Sequence, residues 1–148
     1  MVVTSSALYS GVWQTFFDAI DDNVAHPTTP GTKFVYSSFP DTIKTTTTSY
    51  PVIVVNRARV KRDTEITLGE GIVIVGMTLS IDIYTTNAAQ CDSLSNSVYD
   101  CIDTRRETVF TVADIKQLKS AGSIPSEVMR GGMKVHVNTL IWEFTFQH

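Results

Sequence analysis

The stretch IVIVGMTLSIDIY, Ile72 to Tyr84, decides how the rest of the chain can fold. Its odd positions read Val73, Val75, Met77, Leu79, Ile81 and Ile83, and from Gly76 onward its even positions read Gly76, Thr78, Ser80 and Asp82. Successive side chains of an extended strand point to opposite faces, so this order separates a buried face from a wet one. Directly afterwards Thr85, Thr86 and Asn87 offer helix-capping side chains, and the period changes. Cys91, Leu94, Val98, Cys101 and Ile102 fall on one helical stripe within the segment Asn87 to Phe110. The central unit is therefore a long half-buried strand, a tight corner and an amphipathic helix folding back onto the apolar face.

The elements around this unit supply its partners. Upstream, Ser5 and Ser6 can cap a first helix whose Leu8, Val12, Phe16 and Ile20, flanked by Trp13 and Phe17, form a wide apolar face. Asp18, Asp21 and Asp22 close it as a solvated acidic end. Residues 25–49 carry Pro27, Pro30, Gly31, Pro40 and a threonine tract, and predict a long excursion with at most a short strand at Lys33 to Tyr36. Pro51 opens a second strand, Val52 to Lys61, apolar on both faces at first and alternating later. With residues 62–71 as its tip it makes a long projecting β-hairpin with the central strand.

Downstream, Val112, Ile115 and Leu118 at three-residue spacing predict a short helix within Thr111 to Lys119. Ala121 to Gly132, punctuated by Gly122, Pro125 and Gly131-Gly132, reads as a loop. The last strand, Met133 to Phe146, contains a phase slip. Met133, Val135 and Val137 are its apolar set at first, then Leu140, Trp142, Phe144 and Phe146. A one-residue slip sends every later side chain to the other face. Either a β-bulge near Asn138-Thr139 absorbs it, or the two halves of the strand are buried in different places. The aromatics are then covered by Trp13 and Phe17 of the first helix or by a neighbouring subunit.

At 148 residues, 43% apolar and 18% charged, the chain predicts one domain, residues 1–148, with one good core. The fold class expected is α+β: a mixed, mainly antiparallel sheet with two main helices on one face. A net charge of −3 gives no general attraction to nucleic acid or membrane. No run is long enough to span a bilayer, and no signal peptide is visible at the N-terminus. Cys91 and Cys101 lie about 15 Å apart along one helix, too far for a disulfide, and read as buried thiols.

Chemistry is sparse. There is no G-x-S-x-G, no clustered Cys and His, and no phosphate-binding glycine loop. His26, His136 and His148 are scattered. Pro40-Asp41 and Asp114-Ile115-Lys116 match the letters of a metal-dependent nuclease but lie on unrelated segments. Cys91 sits near a helix start, where a thiol is activated, yet its stripe argues for burial. The charge cluster of note is Arg57, Arg59, Lys61 and Arg62, which either touches a phosphate backbone or an acidic protein, or guards an edge strand against aggregation.

The order of elements resembles the tail terminator (tail completion) proteins of long-tailed bacteriophages, similar to the lambda-type terminator and other small neck proteins. The residues that carry the resemblance are Tyr50-Pro51-Val52-Ile53-Val54-Val55, the strand Ile72 to Tyr84 feeding the helix of Leu94, Val98 and Ile102, and the closing strand Leu140 to Phe146. It covers residues 5 to 146 as a layout rather than as fixed motifs, and the threonine-rich excursion departs from compact members. The resemblance implies a structural virion protein of the tail or neck, assembled in the host cytoplasm. Its partners would be further copies in a homo-oligomeric ring, usually hexameric, the tail tube protein and the head-side connector or stopper, with passing contact to DNA in the lumen. It implies no enzyme activity, no cofactor, no metal and no membrane. Arg57, Arg59, Lys61, Arg62, Trp142, Phe144 and Phe146 are the interface candidates. The alternatives are another neck, head-completion or tail tube protein, a small metal-dependent nuclease-like enzyme, or a cellular α+β binding module.

Overall fold

The computed structural model describes residues 11–40, 50–60, 66–68 and 72–147. It is an α+β fold built on the strand predicted to organise it, β5 (Ile72–Thr85). Val75, Met77, Leu79, Ile81 and Ile83 are all buried, whereas Thr78, Ser80 and Asp82 remain partly exposed on the other face. The corner that follows is held by Thr85, whose Oγ1 donates to the Asn87 carbonyl at 2.8 Å. Asn87 then caps helix α2 (Ala88–Thr104), its side chain accepting from the Gln90 amide at 3.2 Å. Such a cap satisfies an amide that the first turn leaves without a partner. The predicted stripe of α2 is buried as a set. The helix stops earlier than expected, and the chain passes through a π-helical turn, Arg106–Phe110.

Helix α1 (Val12–Asn23) packs beside α2 on the same sheet face, burying Val12, Phe16, Ala19 and Ile20. Ser5, Ser6 and Leu8 lie outside the described residues. Phe16 meets Phe110 and Phe144 at centroid distances of 4.7 and 5.3 Å, and Trp13 Nε1 donates to the Val55 carbonyl at 2.8 Å. The excursion contributes β1 (Val35–Tyr36), parallel to β2 (Val52–Val55); the threonine tract lies outside the described residues.

Strand β2 pairs antiparallel with β5, and so do β3 (Arg59–Val60) and β4 (Ile66–Leu68). The predicted continuous strand Val52 to Lys61 is therefore broken. Between Val55↔Ile81 and Arg59↔Thr78 one side advances four residues and the other three, a one-residue bulge around Asn56. The Asn56 side chain fills the gap, donating to Ser80 Oγ at 3.1 Å and Asp82 Oδ2 at 2.9 Å. The expected hairpin exists, but Ile66–Leu68 pair with residues 72–74, so its tip is shorter than residues 62–71.

The largest correction is downstream. Where a short helix and a loop were expected stands β6 (Ile115–Arg130), a 16-residue edge strand joined by Gly131-Gly132 to β7 (Met133–Gln147). The three-residue spacing of Ile115 and Leu118 is a bulge, not a helix. The register shifts between Lys116 and Lys119, with Gln117 at φ 54°, so both apolar residues face the core. A second shift falls between Ser120 and Gly122, where Gly122 has φ 116°. Beyond it every β6 residue is exposed, which is why the segment carries no apolar alternation. Gly122 and Pro125, read as loop markers, are residues that an edge strand tolerates.

Strand β7 pairs with β5 from Ile74↔Gln147 to Thr85↔His136 without a shift. The phase slip is thus real, with no bulge against the central strand. Leu140, Trp142 and Phe144 join the large core under the helices. Val135 and Val137 join Tyr50, Val52 and Val54 in a small second core on the opposite face, flanked by Tyr36, Phe39, Tyr84 and Met133.

Candidate functional site

The aromatic interface candidates are covered from within. Trp142 and Phe144 are 2% and 3% exposed, packed on Tyr99 and Phe16 respectively, and Phe146 lies partly buried against the same core. Of the two burials open in the sequence, the intrachain one holds for Trp142 and Phe144, but the cover differs from the expected Trp13 and Phe17: Tyr99 of α2 lies against Trp142 and Phe16 of α1 against Phe144, while Phe146 stays partly exposed. The reason is geometric: an unshifted β7 delivers its second half to the face that α1 and α2 already cover.

The basic candidates divide. Arg57 and Arg59 are exposed; Lys61 and Arg62 lie outside the described residues. Arg59 stands opposite Thr78, so it occupies the sheet face away from the helices, while Ala58 between the two arginines is buried under them. Val60 follows, 37% exposed. The helix layer has the opposite sign. Asp18, Asp21 and Asp22 of α1, and Asp92, Asp100 and Asp103 of α2, are all exposed. Between α1 and the π-helical turn runs a groove of about 440 Å³, lined among others by Asp18, Asp22, Arg105, Val109 and Val112. Val112 is 76% exposed there. Arg105, half-buried in the same lining, donates from Nη1 to the Cys101 carbonyl at 3.1 Å and leaves the groove a cation beside its two carboxylates.

The edge strand is a third surface, and one the sequence reading did not single out. Ile124 and Met129 are 58% and 67% exposed, and Val128 is exposed less, at 36%. Lys134 Nζ lies 3.1 Å from Glu127 Oε2, and Lys119 Nζ lies 3.8 Å from Glu143 Oε2, both across the β6–β7 ladder. Exposed pairs of this kind contribute little to stability. The signal that could have found the strand was the run of Ile124, Val128 and Met129 in a segment otherwise built of small and polar residues.

Among the described residues, those with catalytic possibilities are not brought together. Cys91 and Cys101 are free and buried. Burial pushes both thiols above their ordinary value, outweighing the neighbouring Thr85 hydroxyl at Cys91 and the nearby guanidinium of Arg105 at Cys101. A thiol held protonated is a poor nucleophile. His26 accepts at Nδ1 from the Thr29 amide at 3.0 Å and stacks edge-on to Phe34, which makes it a loop anchor. His136 Nδ1 lies 3.7 Å from Glu127 Oε1, beyond hydrogen-bond range. Asp114 sits at φ 64° in a turn, and Lys116 Nζ donates to the Thr111 carbonyl at 2.9 Å; Asp41 lies outside the described residues. Among the described residues no group of three or more His, Cys, Asp or Glu could hold a metal ion, and no helix is long and apolar enough to cross a membrane.

Compared with models of known protein families and with curated proteins, the sequence matches none.

Proposed function

We propose that this chain is a structural virion subunit, a tail terminator that assembles into a ring, caps the tail tube and joins it to the head-side connector. The observation that carries the reading is the outer part of β6. It is a long edge strand, bare on both faces, that keeps Ile124, Val128 and Met129 in water. A free edge with apolar side chains is an aggregation hazard unless an assembly uses it. Pro125, the two bulges and the charged residues along the strand discourage random strand addition, so what remains is a shaped contact. Closed rings are built from such contacts between unlike surfaces. The layout of elements that resembles the terminator family supports the same reading.

The experiment is to add purified protein to tail tubes that lack a terminator and to image them by electron microscopy. Rings on one end of each tube, with tube length fixed thereafter, are expected. A protein that stays monomeric and leaves both ends bare would sink the proposal. Binding only to filled heads would move the chain to head completion, and co-assembly along the tube would make it a tube protein.

A further inference from the structure

We infer that two copies of the chain pair through the outer edge of β6, antiparallel and about a twofold axis at Ser126. Beyond its second bulge β6 runs in unbroken register against β7, from Gly122↔Ile141 to Arg130↔Met133. Gly131 and Gly132, at φ 58° and 77°, make the two-residue turn that joins them. Such a turn closes on a hydrogen-bonded pair, so Arg130 bonds to Met133 and the bonding alternates along the ladder from there. The even-numbered residues from Gly122 to Arg130 therefore aim their backbone groups at β7, while Ser123, Pro125, Glu127 and Met129 aim theirs outward. Pro125, with no N–H to give, falls in the outward set, as an intact ladder requires. Among the described residues no strand pairs with that outer edge.

The second copy is the occupant because the edge complements itself. Ile124 and Val128 lie on the sheet face of Thr139 and Val135, two residues to either side of Ser126, and are 58% and 36% exposed. A twofold axis at Ser126 sets Ile124 of each copy against Val128 of the other, an apolar cross-strand pair made twice. The outward groups obey the same axis. Ser123 and Met129 of opposite copies exchange both bonds, and Glu127 gives its amide to the Pro125 carbonyl. An axis one step along, at Glu127, would instead face Glu127 with itself and Ile124 with Arg130. Self-complementarity is what a twofold contact needs, and a foreign strand has no reason to meet it. Glu127 already has Lys134 Nζ at 3.1 Å, which offsets the approach of its counterpart. The paired stretch is about 30 Å long at the strand rise, shorter than a standard interface offers, so the dimer is reversible. The ring proposed above draws on the same edge, and one edge cannot hold both contacts at once. The dimer is thus the form of the free subunit, and it stands or falls without the ring.

Cysteine pairing reads the axis directly. Opposed residues of a non-hydrogen-bonded pair lie about 4.5 Å apart at Cα, within disulfide reach. Ser126→Cys should therefore link two copies under oxidised glutathione, seen as a dimer on a non-reducing gel. Ile124→Cys and Val128→Cys should link only when the two variants are mixed. The wild type, with Cys91 and Cys101 buried, is the blank. By sedimentation the wild type should be dimeric at about 100 μM. Glu127→Pro deletes an outward donor and leaves the ladder to β7 whole, so it should stay folded by circular dichroism and associate about tenfold or more weakly. A wild type that is monomeric at that concentration would overturn the dimer, and if it still caps tubes the ring reading survives. Links from Ile124→Cys alone, with none from Ser126→Cys, would overturn the twofold register. Glu127→Pro dimers as tight as the wild type's would show that the contact lies elsewhere. Wild-type dimers beside bare tube ends would uphold this inference and remove the ring.

Discussion

The two faces of the sheet are built differently although the same two strands serve both. On the helix side, β5 and β7 contribute Met77, Leu79, Ile81, Leu140, Trp142 and Phe144 to a core sealed by α1 and α2. On the other side, Val135 and Val137 meet Tyr50, Val52 and Val54 in a cluster whose rim is Tyr36, Phe39, Tyr84 and Met133. The switch happens at two polar residues. Asn138 faces the helices and donates to Ser95 Oγ at 2.8 Å; Thr139 faces away and donates to Asp82 Oδ1 at 2.6 Å. Each polar residue is tied to its own side, so the strand changes its apolar face without breaking the ladder. The rim of the small core is cationic as well as aromatic: the Arg130 guanidinium lies 3.8 Å from the centroid of Phe39.

This asymmetry predicts unequal costs. On the helix side, Phe144→Ala should destabilise by about 3–5 kcal/mol, the range for removing a buried aromatic. Together with Trp142→Ala it should abolish cooperative unfolding by calorimetry. Folded double-variant monomers that only lose association would show that the aromatics serve a neighbour after all, and would undo the distinction between the faces.

Much of the helix side could be read in the sequence because its periods are unbroken. Every odd position from Val75 to Ile83 and every stripe residue of α2 is buried, since one strand face and one helix stripe meet a single core. The candidate surfaces were harder. Bulges defeat period reading: at Gln117 an extra residue turned a strand's apolar pair into helical spacing, and at Asn56 it divided what looked like one strand. From Lys119 to Arg130 both faces of β6 are exposed, so burial imposes no alternation and the turn-forming residues dominate the reading. Arg57 and Arg59 were visible as charge, but the groove beside Asp18 and Val112 requires α1 and the π-helical turn to be placed in space. Val112 looked like one member of an apolar triplet with Ile115 and Leu118; only the fold shows it standing in water.

A smaller effect is expected for the second core. Val135→Ala removes two buried methyl groups, about 2 kcal/mol at roughly 0.8 per group with a small cavity term. Denaturant unfolding should show a lower midpoint with an unchanged slope. A loss as large as that of Phe144→Ala would mean that the two cores are one cooperative unit rather than a main core and an annex.

The smallest effect separates the faces by pH. Burial holds the Tyr84 hydroxyl above its ordinary value of 10.0, the Asp82 carboxylate adds to the rise, and Arg130 opposes it. In the unfolded chain the phenol ionises at the ordinary value, so at higher pH the unfolded state has lost a proton that the folded state still holds. The stabilising contribution is therefore complete below about pH 10 and is lost as pH rises through the folded value. Cys91 and Cys101, on the helix side, behave alike but begin earlier, because burial raises their thiols above an ordinary 9.0. Alkaline loss of stability should thus come in two stages, the thiols of the large core first and the phenol of the small one second. Tyr84→Phe keeps the ring against Phe39, whose centroid lies 4.8 Å away, and removes only the ionisation. Its melting temperature should follow the wild type to about pH 10 and then fall less steeply. Replacing both cysteines with alanine should instead flatten the earlier stage. Arg130→Ala, by removing the cation that draws the phenol's value down, should steepen the contribution of Tyr84 to the second stage. Parallel curves for wild type and Tyr84→Phe across the alkaline range would show that the hydroxyl is wet, and that the small core ends short of it.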